Sequence, residues 1–303
     1  MLKFQENYNI ATQSFEDFIL VIFVLIDDFY KKVVPDKIKF RRNVDKALLS
    51  DSEIIPISIC GELLGIDSEK AWDSFLKKNY RHLFPKMCDR SQFNRTRRNL
   101  LQVTNLIFSH VAKYFQDNLL IVDSFELEVC KFGRANFCKC FKHEGATYSY
   151  NPSKKQTFFG YKVHVLTTES EAVKFFEITS ANVDDRVGLE DFSDSISIGS
   201  TIIGDKGYVS EMLKEFLSVQ GKKLLALQRD NFTQNYPTEI RRMIFKIRRR
   251  IETVFSQATD QLNIERVRAK SFRGLCIRLL FKFLAFNLCL MINISSNFKS
   301  LIF

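Results

Sequence analysis

Two aspartates stand where apolar strands should have none. In "LIVDSF" Asp123 interrupts a core-like run, and "IIGDKGY" ends a second such run on Asp205. A carboxylate in apolar surroundings is costly unless it is hydrogen-bonded or holds a cation. A third acid, Glu252, lies in "KIRRRIETVFSQ" beside Ile251, with Arg248 four residues before it and Phe255 three after. Carboxylates on a first strand, at a later strand's end and on a following helix are the ligand set two hard divalent cations need. Two magnesium ions about 3.5 to 4 Å apart activate an attacking oxygen and stabilise a leaving one in an in-line displacement at phosphorus. Blander readings stay open. Asp205, between Gly204 and Gly207, also reads as a turn former, and Glu252 as an ion-pair partner of Arg248 or Arg249. Glu126, Glu128, Asp184 and Asp185 are further acids in the same region.

The elements that must position these acids follow from hydrophobic period and punctuation. Residues 1–115 read as an all-helical domain: a helix capped by Ser14 and stopped near Pro35, then helices over 50–64, 68–78 and 91–116. From 116 to 303 the chain reads as α/β. Strands are expected over 118–127, 158–168, 172–180, about 200–205 and 222–228, with a helix from about 210 to 219 and a mixed sheet of five strands. A polar, aromatic and basic insertion fills about 128–157. Beyond Pro237, Ile244, Ile247, Ile251, Val254, Phe255, Ala258 and Leu262 recur at helical spacing, and a C-terminal helical segment follows.

The chain of 303 residues carries a net charge of +10, and the excess gathers between Arg229 and Lys282. Such a patch suits a polyphosphate. Candidate phosphate contacts are Lys154, Lys155, Arg241, Arg242, Arg248, Arg249, Arg250, Arg266, Arg268, Lys270 and Arg273. Tyr148, Tyr150, Phe158 and Phe159 read as core or as stacking partners for an unpaired base. A helix-turn-helix is sought between Asp51 and Phe84. Cys130, Cys138, Cys140 and His143 lack the paired C-x2-C spacing of common zinc sites. The run "LLFKFLAFNLCLMINI" carries Lys282 and Asn287 and reads as a buried core helix rather than a span. A cytoplasmic, nucleoid-associated protein is expected.

Five strings, "LLIVDSFEL", "SKKQTFFGYKVHVLTT", "ITSANVDDR", "IIGDKGYVS" and "RRRIETVFSQ", occur in that order. Together they resemble the catalytic domain of bacterial insertion-sequence transposases of the Asp-Asp-Glu (DDE) class, over roughly residues 90–292. The resemblance implies an RNase H-like catalytic core behind a helical domain that binds DNA ends. It implies a triad of Asp123, Asp205 and Glu252 that serves as both catalytic set and metal ligands, two magnesium ions replaceable by manganese, and DNA strand transfer. The partners it implies are double-stranded DNA, as element ends and as target, and a second copy in a homodimeric active complex, with no membrane. Related transposases often flank the glutamate with a tyrosine seven before, an arginine four before, a phenylalanine three after and a lysine seven after. Here Phe245, Arg248, Phe255 and Thr259 hold those positions, so two agree. The hairpin Glu169–Ala172 also lacks the glycine expected of such a turn. A nuclease that cuts without joining, or an inactive DNA-binding derivative, would share the fold.

Overall fold

The computed structural model describes residues 15–152, 154–227 and 236–295. Ser14, Gln228 and Arg229 lie outside them. The chain divides into two compact units: one runs up to Tyr114 and resumes at Gln257, and the other is Phe115–Ser256. The C-terminal helical segment, expected in the catalytic part, therefore groups with the N-terminal helices.

The first unit contains α1 (Phe15–Val33), α2 (Asp36–Lys39), α3 (Asp51–Leu63), α4 (Glu69–Asn79), α5 (Arg90–Asn99) and α6 (Leu101–Ala112). α1 stops two residues before Pro35, which disfavours helix in the residue ahead of it. Ser50 and Glu53 form a reciprocal capping box on α3, and the Ser68 hydroxyl accepts the Ala71 N–H at the start of α4. The single helix expected over 91–116 is two. At Leu100 the backbone tightens to φ −82°, ψ 9°, and its N–H is shared between the carbonyls of Thr96 and Arg97 at 3.0 and 3.2 Å. No glycine or proline marks this break, so composition hid it. α3 is buried around nearly its whole circumference, which leaves it no exposed face to enter a groove as a recognition helix.

The last helix of this unit, α10 (Phe272–Ser295), packs on α3 and α6. It is long and apolar enough to cross a membrane, yet most of it is buried within the protein. Its charges are balanced from α3 and the loop that follows. Arg278 stands 3.0 Å from Glu62 and 2.8 Å from Asp67, and Lys282 stands 2.6 Å from Glu62 and 3.1 Å from Asp67. Two buried cations thus meet two acids.

The second unit is built on β1 (Leu119–Glu128), β2 (Thr147–Asn151), β3 (Gln156–Thr168), β4 (Val173–Ser180), β5 (Thr201–Gly204) and β6 (Lys223–Ala226). β1 lies at the centre, antiparallel to β3 and parallel to β5, and β6 continues parallel beyond β5. β4 pairs with the second half of β3, and β2 with its first half. β2 is one strand more than the five expected. It comes from the insertion, where alternation over five residues was too short to separate from loop.

α7 (Asp185–Asp191) and α8 (Glu211–Val219) cover one face, with Leu189, Phe192, Leu213 and Leu217 on Leu120, Val122, Ile202 and Leu224. α9 (Thr238–Leu262) covers the other, its Ile244 and Ile247 packing near Leu119, Ile203 and Leu225. Burial on both faces explains why β1 reads as a continuous apolar run rather than an alternation.

The β3–β4 hairpin resolves its missing glycine by placing Glu171 at φ 71°. Left-handed backbone costs a non-glycine residue about 1 to 2 kcal/mol. The Thr168 carbonyl and hydroxyl hold it, accepting the N–H groups of Glu171 and Ala172, while Asp117 accepts from Ser170.

Gly160 is required where β3 crosses β1, because a Cβ there would lie 2.1 Å from the Leu127 carbonyl oxygen. Only backbone movement in the central ladder relieves that contact. Gly160→Ala is expected to lower stability by about 2 to 3 kcal/mol, measured as a shift in urea midpoint. An unchanged midpoint would contradict the close approach.

Candidate active site

Strand register sets the two aspartates side by side. β1 and β5 pair in parallel from Leu119 with Thr201 to Ile121 with Ile203. Two residues past the last paired position come Asp123, still within β1, and Asp205, just beyond the end of β5, and the charge of Asp205 acts on Asp123. Side chains alternate between faces, so Asp123 shares the α9 side with Leu119, and Asp205 shares it with Ile203.

Local backbone fixes each carboxylate. Asp123 accepts the N–H of Ser124 at 2.8 Å. Asp205 accepts the N–H of Gly207 at 2.7 Å, capping the short turn Lys206–Tyr208. Tyr208 folds back beneath the strand end, where a Cβ on Gly204 would come within 2.9 Å of its ring. Asp205 is therefore both the turn former and the neighbour of Asp123.

Glu252 enters from α9. Phe125, two residues after Asp123, meets Phe255, three after Glu252, with ring centroids 5.2 Å apart and nearly perpendicular. This contact anchors the helix beside the strand. Glu252 is half exposed and turned to Arg248, whose Nη2 lies 3.1 Å from it and 3.8 Å from Asp123. A guanidinium thus bridges the two acids.

Burial raises the Asp123 carboxyl to about 7, and the charges of Asp205 and Asp185 add to that shift, opposed by the Ser124 N–H and by Arg248. Burial is the larger part of that shift, and the neighbouring carboxylates add to it. The donor set, hard carboxylate oxygens with a cationic group already drawn between them, fits magnesium in kind. Among the described residues no three His, Cys, Asp or Glu side chains close around one point, and Glu252 faces Arg248. The same holds for Cys130, Cys138, Cys140 and His143. There the Cys130 thiol is pushed up to about 11 by burial and by its hydrogen bond with Cys138.

The remaining acids separate. Asp184 caps α7 and pairs with Arg186 at 2.8 Å, which holds its carboxyl down at about 2. Glu126 faces Lys154 at 3.7 Å, and Glu128 is exposed at the end of β1. Asp185 instead accepts the Ser124 hydroxyl at 2.7 Å. Sequence reasoning passed over its neighbours Lys162, His164 and Tyr208, although a histidine within "YKVHVLTT" was the available signal.

The basic candidates also divide. Lys154, Lys155, Arg242 and Arg249 are exposed in the second unit, and Arg266, Arg268, Lys270 and Arg273 are exposed in the first. Arg241 is half-buried. Arg250 is committed to the hairpin, donating to the Glu169 carbonyl and facing its carboxylate at 3.5 Å. Of the aromatics, Phe158 and Phe159 are core, whereas Tyr148 and Tyr150 on edge strand β2 are exposed.

A central β1 flanked by an antiparallel meander on one side and two parallel strands on the other, helices on both faces, an acid within β1 and another just past the end of β5, is an RNase H-like core. The domain family described as "Transposase DDE domain" matches residues 114–272, and the chain belongs to that family of DDE transposases. Among solved structures, a piggyBac transposase synaptic complex with hairpin DNA, determined by cryo-EM, is similar in fold. Its TM-score is 0.51 at 12% identity, over 93% of this chain and 77% of that one. No curated protein matches.

Proposed function

We propose that this transposase cleaves a phosphodiester at each end of its element and directs the freed 3′ hydroxyl onto target DNA, with Asp123, Asp205 and Glu252 as its metal-holding triad. The observation that carries this reading is that Asp123 and Asp205 each lie two residues past the last paired position of β1 and β5, in a site where burial and the charge of Asp205 push Asp123 up to about 7. When bound, two magnesium ions would activate the attacking oxygen and stabilise the leaving one. Asp123, within β1, and Asp205, just past the end of β5, would hold that charge from a rigid sheet, and Glu252 would complete the set once a phosphate draws Arg248 away. Positioning and charge neutralisation supply the rate, with no covalent protein intermediate. Exposed Lys154, Lys155, Arg242 and Arg249 are proposed to meet double-stranded DNA at element ends and target. A homodimeric active complex of insertion-sequence type belongs to the same proposal.

Incubating the protein with end-bearing and target DNA in manganese tests it. Joined products are expected, and Glu252→Gln should reduce them about a hundredfold or more. Cleavage without joining would make the protein a nuclease. A Glu252→Gln protein as active as wild type would remove that residue from the triad.

A further inference from the structure

Asp185 is the fourth acid of the site and stands behind it. On β1, Asp123 faces α9, so Ser124 faces α7, and the register sets Ser124 directly opposite His164. Lys162, two residues before His164, shares that face. All three converge on one carboxylate oxygen at the first residue of α7. Asp185 Oδ1 accepts the Ser124 hydroxyl at 2.7 Å and lies 3.2 Å from Lys162 Nζ and 3.7 Å from His164 Nδ1.

The second oxygen points elsewhere. A Cβ built on Gly207 would lie 3.6 Å from Asp185 Oδ2 and 2.9 Å from Asp205 Oδ1, so the glycine that holds Asp205 passes between the two acids. His164 is in turn pinned: its Nε2 lies 2.9 Å from the Thr179 hydroxyl, and Gly188 of α7 presses on its ring so closely that a Cβ would come within 2.6 Å. An independent sign that the arrangement awaits a partner is Tyr208. It is 1% exposed, its hydroxyl has no hydrogen-bond partner, and the charges of Asp185, Asp123 and Asp205 act on it.

We propose that Asp185 is a positioning residue that fixes, from the opposite face of the sheet, the two backbone segments carrying Asp123 and Asp205. The inference rests on the reading of that pair as metal-holding. Removing Asp185 frees the Ser124 hydroxyl, leaves Lys162 and His164 without their shared acid, and opens the space beside Gly207. The Asp123 to Asp205 separation then relaxes. Residues that orient metal ligands in this way are worth about 10- to 100-fold in metal affinity.

The test is manganese binding to the full chain, by calorimetry and by the electron paramagnetic resonance of bound Mn2+, beside far-ultraviolet circular dichroism. Asp185→Ala is expected to weaken Mn2+ binding at least tenfold while the spectrum stays native. Asp185→Asn, which keeps an oxygen for Ser124, should recover part of that loss, and Ser124→Ala added to Asp185→Ala should cost little more. Should Asp185→Ala fail to fold, Asp185→Asn decides, with a loss of at least threefold expected. Native-like variants that bind Mn2+ as wild type would overturn the role of Asp185. Asp123→Asn run in parallel separates the two ideas: wild-type binding there would overturn the metal-holding pair itself.

Discussion

Asp123→Asn is expected to abolish the proposed strand cleavage, by about a thousandfold or more, and at pH 8 in chelator to give a protein more stable than wild type. Both effects have one cause. Burial and the charges of Asp205 and Asp185 hold the Asp123 carboxyl at about 7, far above its ordinary value. The folded state therefore keeps a proton that the unfolded chain has released between about pH 4 and pH 7. Stability contributed by this group is complete at low pH and is lost as pH rises through that window. Asparagine has no charge to bury and escapes the loss. The gain approaches roughly 4 kcal/mol above pH 7 if the full shift is realised, at about 1.4 kcal/mol per unit.

His164 acts in the opposite direction. Burial lowers it to about 4 against the pull of Asp185, so its contribution is lost as pH falls from about 6.5 towards 4. It is common to both proteins and cancels in the difference. Urea midpoints at pH 5 and pH 8 measure the gap between variant and wild type. A gap that does not widen towards pH 8 would mean that Asp123 is not strained. DNA binding measured alongside should be largely retained, because the exposed arginines and lysines are untouched. A variant that still cuts at the wild-type rate would remove Asp123 from catalysis.

Lys282→Met is the second large effect, and it falls on the other unit. The methylene stem is matched in volume, so the change isolates the charge. Lys282 is 1% exposed, with Glu62 at 2.6 Å and Asp67 at 3.1 Å. Removing it leaves Arg278 as the remaining ion-pair partner of buried Glu62 and part-buried Asp67, two acids against one cation. Breaking such a buried cluster costs about 3 to 5 kcal/mol. Removing one partner of each sign, in Lys282→Met with Glu62→Leu, restores balance around the Arg278 and Asp67 pair at 2.8 Å and is expected to recover most of the loss. Thermal or urea unfolding of the two single variants and the double gives the coupling directly. A single-variant cost below about 1 kcal/mol would show that the cluster is hydrated in solution.

The cluster also explains how a stretch as apolar as α10 serves as a core helix. Its sequence satisfies the length and hydropathy of a span, and what distinguishes it is Arg278 and Lys282 near its middle, each with an acid to meet. Lys282 was visible in the sequence. That Glu62 and Asp67 would meet it, more than two hundred residues away, was not.

Much of the candidate site was legible because its signals are local. A charge inside an apolar strand marks Asp123. The glycines around Asp205 mark a turn, and the period of Ile244, Ile251 and Val254 marks the helix that carries Glu252. The break at Leu100 was not legible, since a shared N–H needs no special residue. Strand β2 was missed because five alternating residues become a strand only when the free edge of β3 is there to pair with them. The lack of a glycine in the hairpin is plain in the sequence, but that Glu171 takes the left-handed conformation and that Thr168 and Asp117 support the turn follows from the fold.

The sequence by itself determined most of the elements and their order, β2 and the break at Leu100 excepted, and the acids available in and beside the strands, since propensity, period and punctuation act over a few residues. Only tertiary structure decided which acids meet. Register across β1 and β5 joined Asp123 to Asp205, the crossing of α9 turned Glu252 to Arg248, and the docking of α7 drew Asp185 to Ser124 while leaving Asp184 on Arg186. Those pairings depend on the relative placement of segments tens of residues apart, and packing of whole faces fixes that placement.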